Sequence, residues 1–116
     1  MSEHRTTSCR TKLSVFCLCL AALGISACGL AMDNEARLER ATRAFSDGDF
    51  RAAIIDARSV LQDEPDNRAA RVVLGQAALA AGDPATAEKE LRRAAELGQD
   101  PATIAVDMAQ AMVSLG

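Results

Sequence analysis

Hydrophobic and polar residues divide the chain into two regimes. From Leu13 to Met32, twenty consecutive residues carry no charge, reading LSVFCLCLAALGISACGLAM. That length alone would permit a membrane-spanning helix. Arg5, Arg10 and Lys12 precede the run, however, and the bulky stretch Leu13 to Leu23 gives way to Gly24, Ile25, Ser26, Ala27, Cys28 and Gly29. A charged head, an apolar middle and small residues at its end are the pattern of a signal peptide. Beyond the run no stretch alternates with period two, so strands are not expected. Instead the turn residues recur, with Gly48, Gly82 and Gly116 each separated by 34 positions. The pattern predicts helices over about 34–46, 49–62, 67–81 and 83–97, and a fifth opened by Asp100-Pro101 that runs to about 115.

Each boundary has a local cause. Gly48 and Gly82 supply backbone freedom for the reversals. Asp49 and Asp83 follow them and can cap the next helix, a carboxylate accepting from the orphan amides of the first turn. Pro84 and Pro101 suit the first helical position, where the missing amide proton costs nothing. With the glycines in register, Ala41 aligns with Gly75 and Ala109, Ala53 with Ala87, Ala57 with Leu91, and Val60 with Ala94. Leu74 falls beside Met108, and Ala44 beside Ala78 and Met112.

These positions resemble the tetratricopeptide repeat (TPR), a 34-residue pair of antiparallel helices whose signature is small residues at helix crossings. The resemblance implies an all-α, helix-turn-helix solenoid. Ala41, Gly75 and Ala109 would hold the small site of each first helix, and Ala53 and Ala87 the early small site of each second helix. Pro65 ends the first repeat where the family has Pro. The organisation that follows is a leader over 1–27, Cys28 and a short linker over 28–33, repeats over 34–67 and 68–101, and the first helix of a third over 102–116.

The chain departs from the family pattern in bulk. Arg37 and Arg71 stand where Trp is favoured, and Ala44, Ala78 and Met112 where Tyr is favoured. From Cys28 onward 21 of 89 residues are Ala. Helices can then approach closely, but each contact removes little area from water at ~25 cal/mol per Å², so the repeats should be weakly stable alone. The second repeat also ends late, in Leu97-Gly98-Gln99-Asp100-Pro101. That ending, with the run Gly82-Asp83-Pro84-Ala85-Thr86-Ala87-Glu88-Lys89-Glu90-Leu91 before it, is similar to the N-terminal portion of the TPR lipoproteins of the PEP-CTERM/exosortase system. Those proteins share a lipoprotein signal and an early repeat like Gly48-Asp49-Phe50, and are several times longer. They sit in gene neighbourhoods that make and export extracellular polysaccharide in Gram-negative bacteria.

Ile25-Ser26-Ala27-Cys28 resembles a bacterial lipobox, with Ile25 at the place where Leu is commonest. The resemblance implies cleavage between Ala27 and Cys28 and acylation of Cys28. Each buried methylene contributes ~0.8 kcal/mol and stable attachment takes more than one chain, which three acyl chains would satisfy. Gly29, rather than Asp, after the cysteine implies the outer membrane, facing the periplasm. The same residues admit two other readings: an uncleaved anchor helix, or ordinary cleavage near Ala27 or Ala31 that leaves Cys28 a free thiol. Cys9, Cys17 and Cys19 read as small hydrophobic filler in the leader. All four cysteines lie in the first quarter, so no disulfide framework can staple the body.

Charge narrows the function. Arg5, Arg10 and Lys12 against Glu3 give +2 before Cys28; ten Arg or Lys against fifteen Asp or Glu give −5 from there on. An acidic body argues against nucleic acid as partner. The only histidine is His4, which leaves the body without a His-based triad or metal site. No phosphate loop, Ser/His/Asp set or Cys/His cluster is present, and the body offers no catalytic constellation. Asp47-Gly48-Asp49 and Asp63-Glu64-Pro65-Asp66 lack the ligand number and spacing of a calcium loop and suit helix-end turns. Arg37, Arg40 and Arg43 could meet an acidic partner, but read better as a solvated face, Glu39 and Arg43 forming an i,i+4 pair.

TPR arrays bind ligands on the concave face of their first helices. The resemblance carries that role to Glu35, Leu38, Thr42 and Phe45, to Ala69, Val72, Gln76 and Leu79, and to Thr103, Val106, Gln110 and Val113. Leu38, Val72, Leu79 and Val113 read equally well as packing between helices. The implied protein is a non-catalytic scaffold for protein or peptide partners, with no cofactor beyond an acyl lipid on Cys28, no small-molecule substrate and no metal. The alternative is a general outer-membrane assembly or peptidoglycan-associated lipoprotein, and an enzyme is the least supported reading. A fifth helix without its partner leaves a stripe of Ala105, Met108, Ala109 and Met112 uncovered, which is expected of a truncated member of a longer array.

Overall fold

The computed structural model describes residues 33–116, so the leader, the Ala27–Cys28 cleavage point and lipidation at Cys28 lie outside the described residues. Five helices account for them: α1 over 33–46, α2 over Phe50–Asp63, α3 over Arg68–Ala80, α4 over Pro84–Glu96 and α5 over Pro101–Leu115. There is no strand among the described residues. None of the described helices is long and apolar enough to cross a membrane.

Caps place the boundaries within a residue or two of the expected ones. Asp49, Asn67, Asp83 and Asp100 each precede a helix and accept from an amide of its first turn, Ala52, Ala70, Thr86 and Ala102 respectively. The Thr86 hydroxyl and amide together hold the Asp83 carboxyl below the usual carboxylate range. Three helices end in the same left-handed glycine motif. After α1 the Gly48 amide donates to Phe45 and the Asp49 amide to Ala44; Gly82 and Asp83 repeat this after α3, and Gly98 and Gln99 after α4. Gly48, Gly82 and Gly98 have φ of 82°, 86° and 94°, a region where L side chains are strained. The second repeat does not end late: α4 stops at Glu96 ahead of Gly98, Asp100 caps, and Pro101 is the first residue of α5 rather than the close of the repeat. The third repeat's helix therefore opens one residue before the 34-residue spacing would place it.

Helices α1, α3 and α5 form one layer and α2 and α4 the other. Within the first layer α3 touches α5, whereas α2 and α4 do not touch each other. The core runs between the layers. Ala41, Ala53, Ala57, Val73, Leu74 and Ala77 form its first cluster, with Leu38, Phe45, Phe50 and Ile54 packed on it. The Phe45 and Phe50 rings meet across the Gly48 turn with centroids 5.8 Å apart and planes tilted by 51°. A second cluster joins Ala78, Ala87 and Ala111, flanked by Leu79.

The crossing of α3 on α4 is the tightest place in the fold. A Cβ on Gly75 would lie 2.7 Å from Leu91 Cγ and 3.4 Å from the Ala87 carbonyl oxygen. Leu91 is fully buried. One repeat earlier the same two sites are Ala41 and Ala57, also fully buried. The second repeat has thus removed a methyl from one helix and enlarged the side chain on the other, a compensating exchange in which the missing Cβ makes room for the leucine.

Polar contacts replace the missing aromatics. Arg71, at the place favoured for Trp, donates from Nε and Nη2 to the Pro65 carbonyl at 3.0 and 2.7 Å and pairs with the Glu90 carboxylate through Nη1. Both ends of that pair are largely buried, with side chains 17% and 9% exposed. Arg37 instead donates to Asn34 and Asp63, at 3.1 and 3.4 Å. Glu64 accepts from Asn34 of α1 and from Asn67 ahead of α3, at 3.2 and 2.7 Å, binding the start of one repeat to the next.

Two outcomes follow for stability. Gly75→Ala gains roughly 1 kcal/mol of helix propensity but overpacks a rigid contact at about 1–3 kcal/mol, so urea titration followed by helical circular dichroism should show net destabilisation. Gly75→Ala with Leu91→Ala copies the first repeat, and the double variant should cost about 1 kcal/mol less than the sum of the singles; strict additivity would refute the exchange. In the same assay Glu90→Ala should cost about 2–3 kcal/mol by leaving the Arg71 charge short of a partner in a poorly solvated place. Glu39→Ala, which breaks only the exposed pair with Arg43, should change stability by less than about 0.5 kcal/mol.

Candidate protein-binding face

The layer of α1, α3 and α5 gathers the twelve residues expected on a ligand face, and their exposure divides them. Glu35, Thr42, Ala69, Thr103, Val106, Gln110 and Val113 are open to solvent. Leu38, Phe45, Val72, Gln76 and Leu79 are half-buried. Leu38 and Phe45 pack on the first core cluster and Leu79 on the second, so these three side chains serve the fold first. Phe45 in particular lies against Phe50 in the α1–α2 turn.

What remains accessible is graded along the face. On α1 a shallow cavity of about 500 Å³ is lined by Glu35, Leu38, Glu39, Thr42, Arg43 and Ser46. The Thr42 and Ser46 hydroxyls donate to the Leu38 and Thr42 carbonyls one turn back, at 2.9 and 3.1 Å. They retain acceptor lone pairs for a ligand. At the centre, Gln76 Nε2 donates to Asp107 Oδ2 at 2.8 Å, a bridge from α3 to α5. Asp107 is a residue of this face that sequence reasoning passed over; it stands between Val106 and Met108 in an otherwise uncharged helix, the one signal that could have drawn attention to it. On α5 the exposure is greatest, Val106 at 77% and Val113 at 82%.

The α1 arginines do not form an open cationic patch. Arg43 pairs with Glu39 at 2.7 Å as the i,i+4 spacing predicts, and Arg40 reaches Asp56 at 3.4 Å. The acidic clusters are likewise engaged: Asp49 caps α2, Glu64 holds Asn34 and Asn67, and Asp66 pairs with Arg93 at 3.2 Å. Among the described residues no group of three potential metal ligands comes together.

Such a face offers apolar side chains, spare hydroxyl and amide capacity and little net charge. It is chemistry for holding a peptide or a protein surface. The family model for the tetratricopeptide repeat matches residues 44–116, more than half of the chain. The chain belongs to the tetratricopeptide repeat family. No curated protein matches it. The TPR match takes in the end of α1 and all of α2 to α5, so the small-residue crossings at Ala53, Gly75 and Ala87 lie inside it. TPR repeats generally mediate protein–protein interactions.

On its far side α5 carries Ala105, Met108, Ala109 and Met112. With Ala95, Pro101 and Ile104 they line an apolar cavity of about 340 Å³. In the TPR geometry this is the flank on which the second helix of a repeat packs. Ala109 is accordingly exposed where its equivalents Ala41 and Gly75 are buried.

Proposed function

We propose that this TPR chain is a non-catalytic scaffold, anchored by lipid at Cys28 to the outer membrane of a Gram-negative envelope, that holds a protein partner on the α1/α3/α5 face. The observation that carries the binding role is the exposure of Val106 and Val113 beside Gln110 and the Gln76–Asp107 bridge. Burying such apolar area contributes ~25 cal/mol per Å², and amide groups at the centre give orientation. The anchoring rests on Ile25-Ser26-Ala27-Cys28 after an apolar run. The narrower place, in PEP-CTERM/exosortase sorting and exopolysaccharide export, rests on the likeness of the segment from Gly82 to Pro101 to those lipoproteins.

Both halves are open to direct test. Cells expressing the full chain and fed radiolabelled palmitate should label it, and Cys28→Ser should lose the label; label retained in the variant would refute the anchor. Photo-crosslinking from Val106 and from Gln110 in the native envelope should trap a discrete protein, and Val113→Glu should reduce that product at least fivefold with helical content unchanged. Equal crosslinking from the outer residue Arg51 would refute the face. An exosortase gene beside the coding sequence separates the narrower role from general envelope assembly.

A further inference from the structure

Most cations of the described residues are committed. Of the ten Arg and Lys side chains from Cys28 onward, Arg37, Arg40, Arg43, Arg68, Arg71, Arg92 and Arg93 each donate a hydrogen bond to a carboxylate or carbonyl. Arg51, Arg58 and Lys89 make none, and Lys89 approaches no closer than 4.0 Å to Glu90. Two of these three face one cavity. It measures about 380 Å³ and opens on the outer layer, between α2 and α4. Arg58 and Gln62 stand on its α2 wall and Lys89 on its α4 wall, while Leu74 and the Arg71–Glu90 pair from α3 and α4 also line it.

The charge of this cleft is the reverse of its surroundings. Arg58, Arg71 and Lys89 against Glu90 leave +2, within a body of −5. Glu90, already counted in that sum, is largely buried and bonded to Arg71, and the 73% exposed Lys89 side chain meets it only at 4.0 Å. Asp83, the acid whose charge Arg58 feels, spends its hydrogen bonds on Thr86 as the cap of α4 and takes none from Arg58. Arg58 and Lys89 therefore line one cleft, and neither spends a hydrogen bond on an acid of the chain.

We propose that the α2/α4 cleft binds the carboxylate side chain of an acidic protein segment, held between Arg58 and Lys89. A carboxylate accepts from a guanidinium and an ammonium at once, and such charge-assisted bonds are about twice as strong as neutral ones. Leu61, half-buried on the α2 wall, gives an apolar contact for the methylenes of an Asp or Glu side chain, which a hydrated phosphate dianion would not use. Gln62 adds an amide donor at the rim. The site lies on the layer opposite Gln76 and Val106, so it stands independently of the face assigned above and would give the scaffold a second, charge-selective contact.

The test is fluorescence anisotropy of a labelled Glu/Leu hexapeptide with the full chain in detergent, beside its Gln/Leu counterpart. The Glu peptide should bind about tenfold more tightly than the Gln peptide. Arg58→Ala with Lys89→Ala should remove about that tenfold, while Arg51→Ala, which deletes an unpaired cation outside the cleft, should leave binding unchanged. Unchanged circular dichroism verifies that these exposed changes preserve the fold. The proposal is overturned if neither peptide binds, if Arg51→Ala weakens binding as much as the double change, if inorganic phosphate displaces the peptide as well as free glutamate does, or if Val106→Glu abolishes binding and so places the peptide on the other layer.

Discussion

The close approach of α3 to α4 at Gly75 is the constraint on which the rest of the molecule depends. With a buried core made mostly of Ala, Val and Leu, the helices hold together only if their backbones come near enough for small side chains to touch. Gly75 admits Leu91, the largest of the fully buried side chains, into the space that Ala57 fills one repeat earlier. The same approach brings α3 against α5 and so sets Gln76 within 2.8 Å of Asp107. A bulkier residue at position 75 would push α4 outward and change the spacing on both layers at once.

Because alanine crossings bury little area, polar links between sequence-distant residues take a larger share of the fold than usual. They are placed at the helix ends. Asn34 to Glu64 and Arg68 to the Gly98 carbonyl are equivalent contacts one repeat apart, each joining the start of a first helix to the end of its partner across thirty positions. Glu64 to Asn67 and Arg93 to Asp66 continue from one repeat to the next. Exposed pairs of this kind contribute little singly. At the ends of the helical pairs they tie each first helix to its partner and, through Glu64–Asn67 and Arg93–Asp66, one repeat to the next.

Much of this was legible in residue spacing. Glycines 34 apart marked the turns, Asp or Asn before each helix marked its start, and the aligned Ala41, Ala53, Gly75 and Ala87 marked the crossings, because all of these are local demands of backbone geometry. What spacing could not convey was partner choice at long range. Arg71 read as a lost Trp, yet it is a buried ion-pair member whose partner Glu90 lies nineteen residues on. Arg37, its counterpart, turns to Asp63 instead, since the position equivalent to Glu90 is Asp56, whose shorter carboxylate pairs with Arg40. On the α1/α3/α5 face, the resemblance to the repeat family gave Phe45 the same standing as Thr42. Only the ring contact with Phe50 separates a packing residue from an accessible one.

The two layers thus differ in what they can recognise. On the α1/α3/α5 side Arg43 and Glu39 neutralise each other and the Gln76 amide holds the Asp107 carboxylate in place, so the accessible surface there is mainly apolar side chains and neutral polar groups. On the α2/α4 side the ion pair of Arg71 and Glu90 does the opposite. By drawing the Glu90 carboxylate inward, it leaves Lys89 at 4.0 Å from that acid and without a hydrogen bond to it. The residue that replaces the family's aromatic is therefore also the reason the outer cleft is cationic. A Trp at position 71 would leave the Glu90 carboxylate free to turn toward Lys89 and cancel it, restoring the bulk of a typical repeat and removing the charge that distinguishes this one.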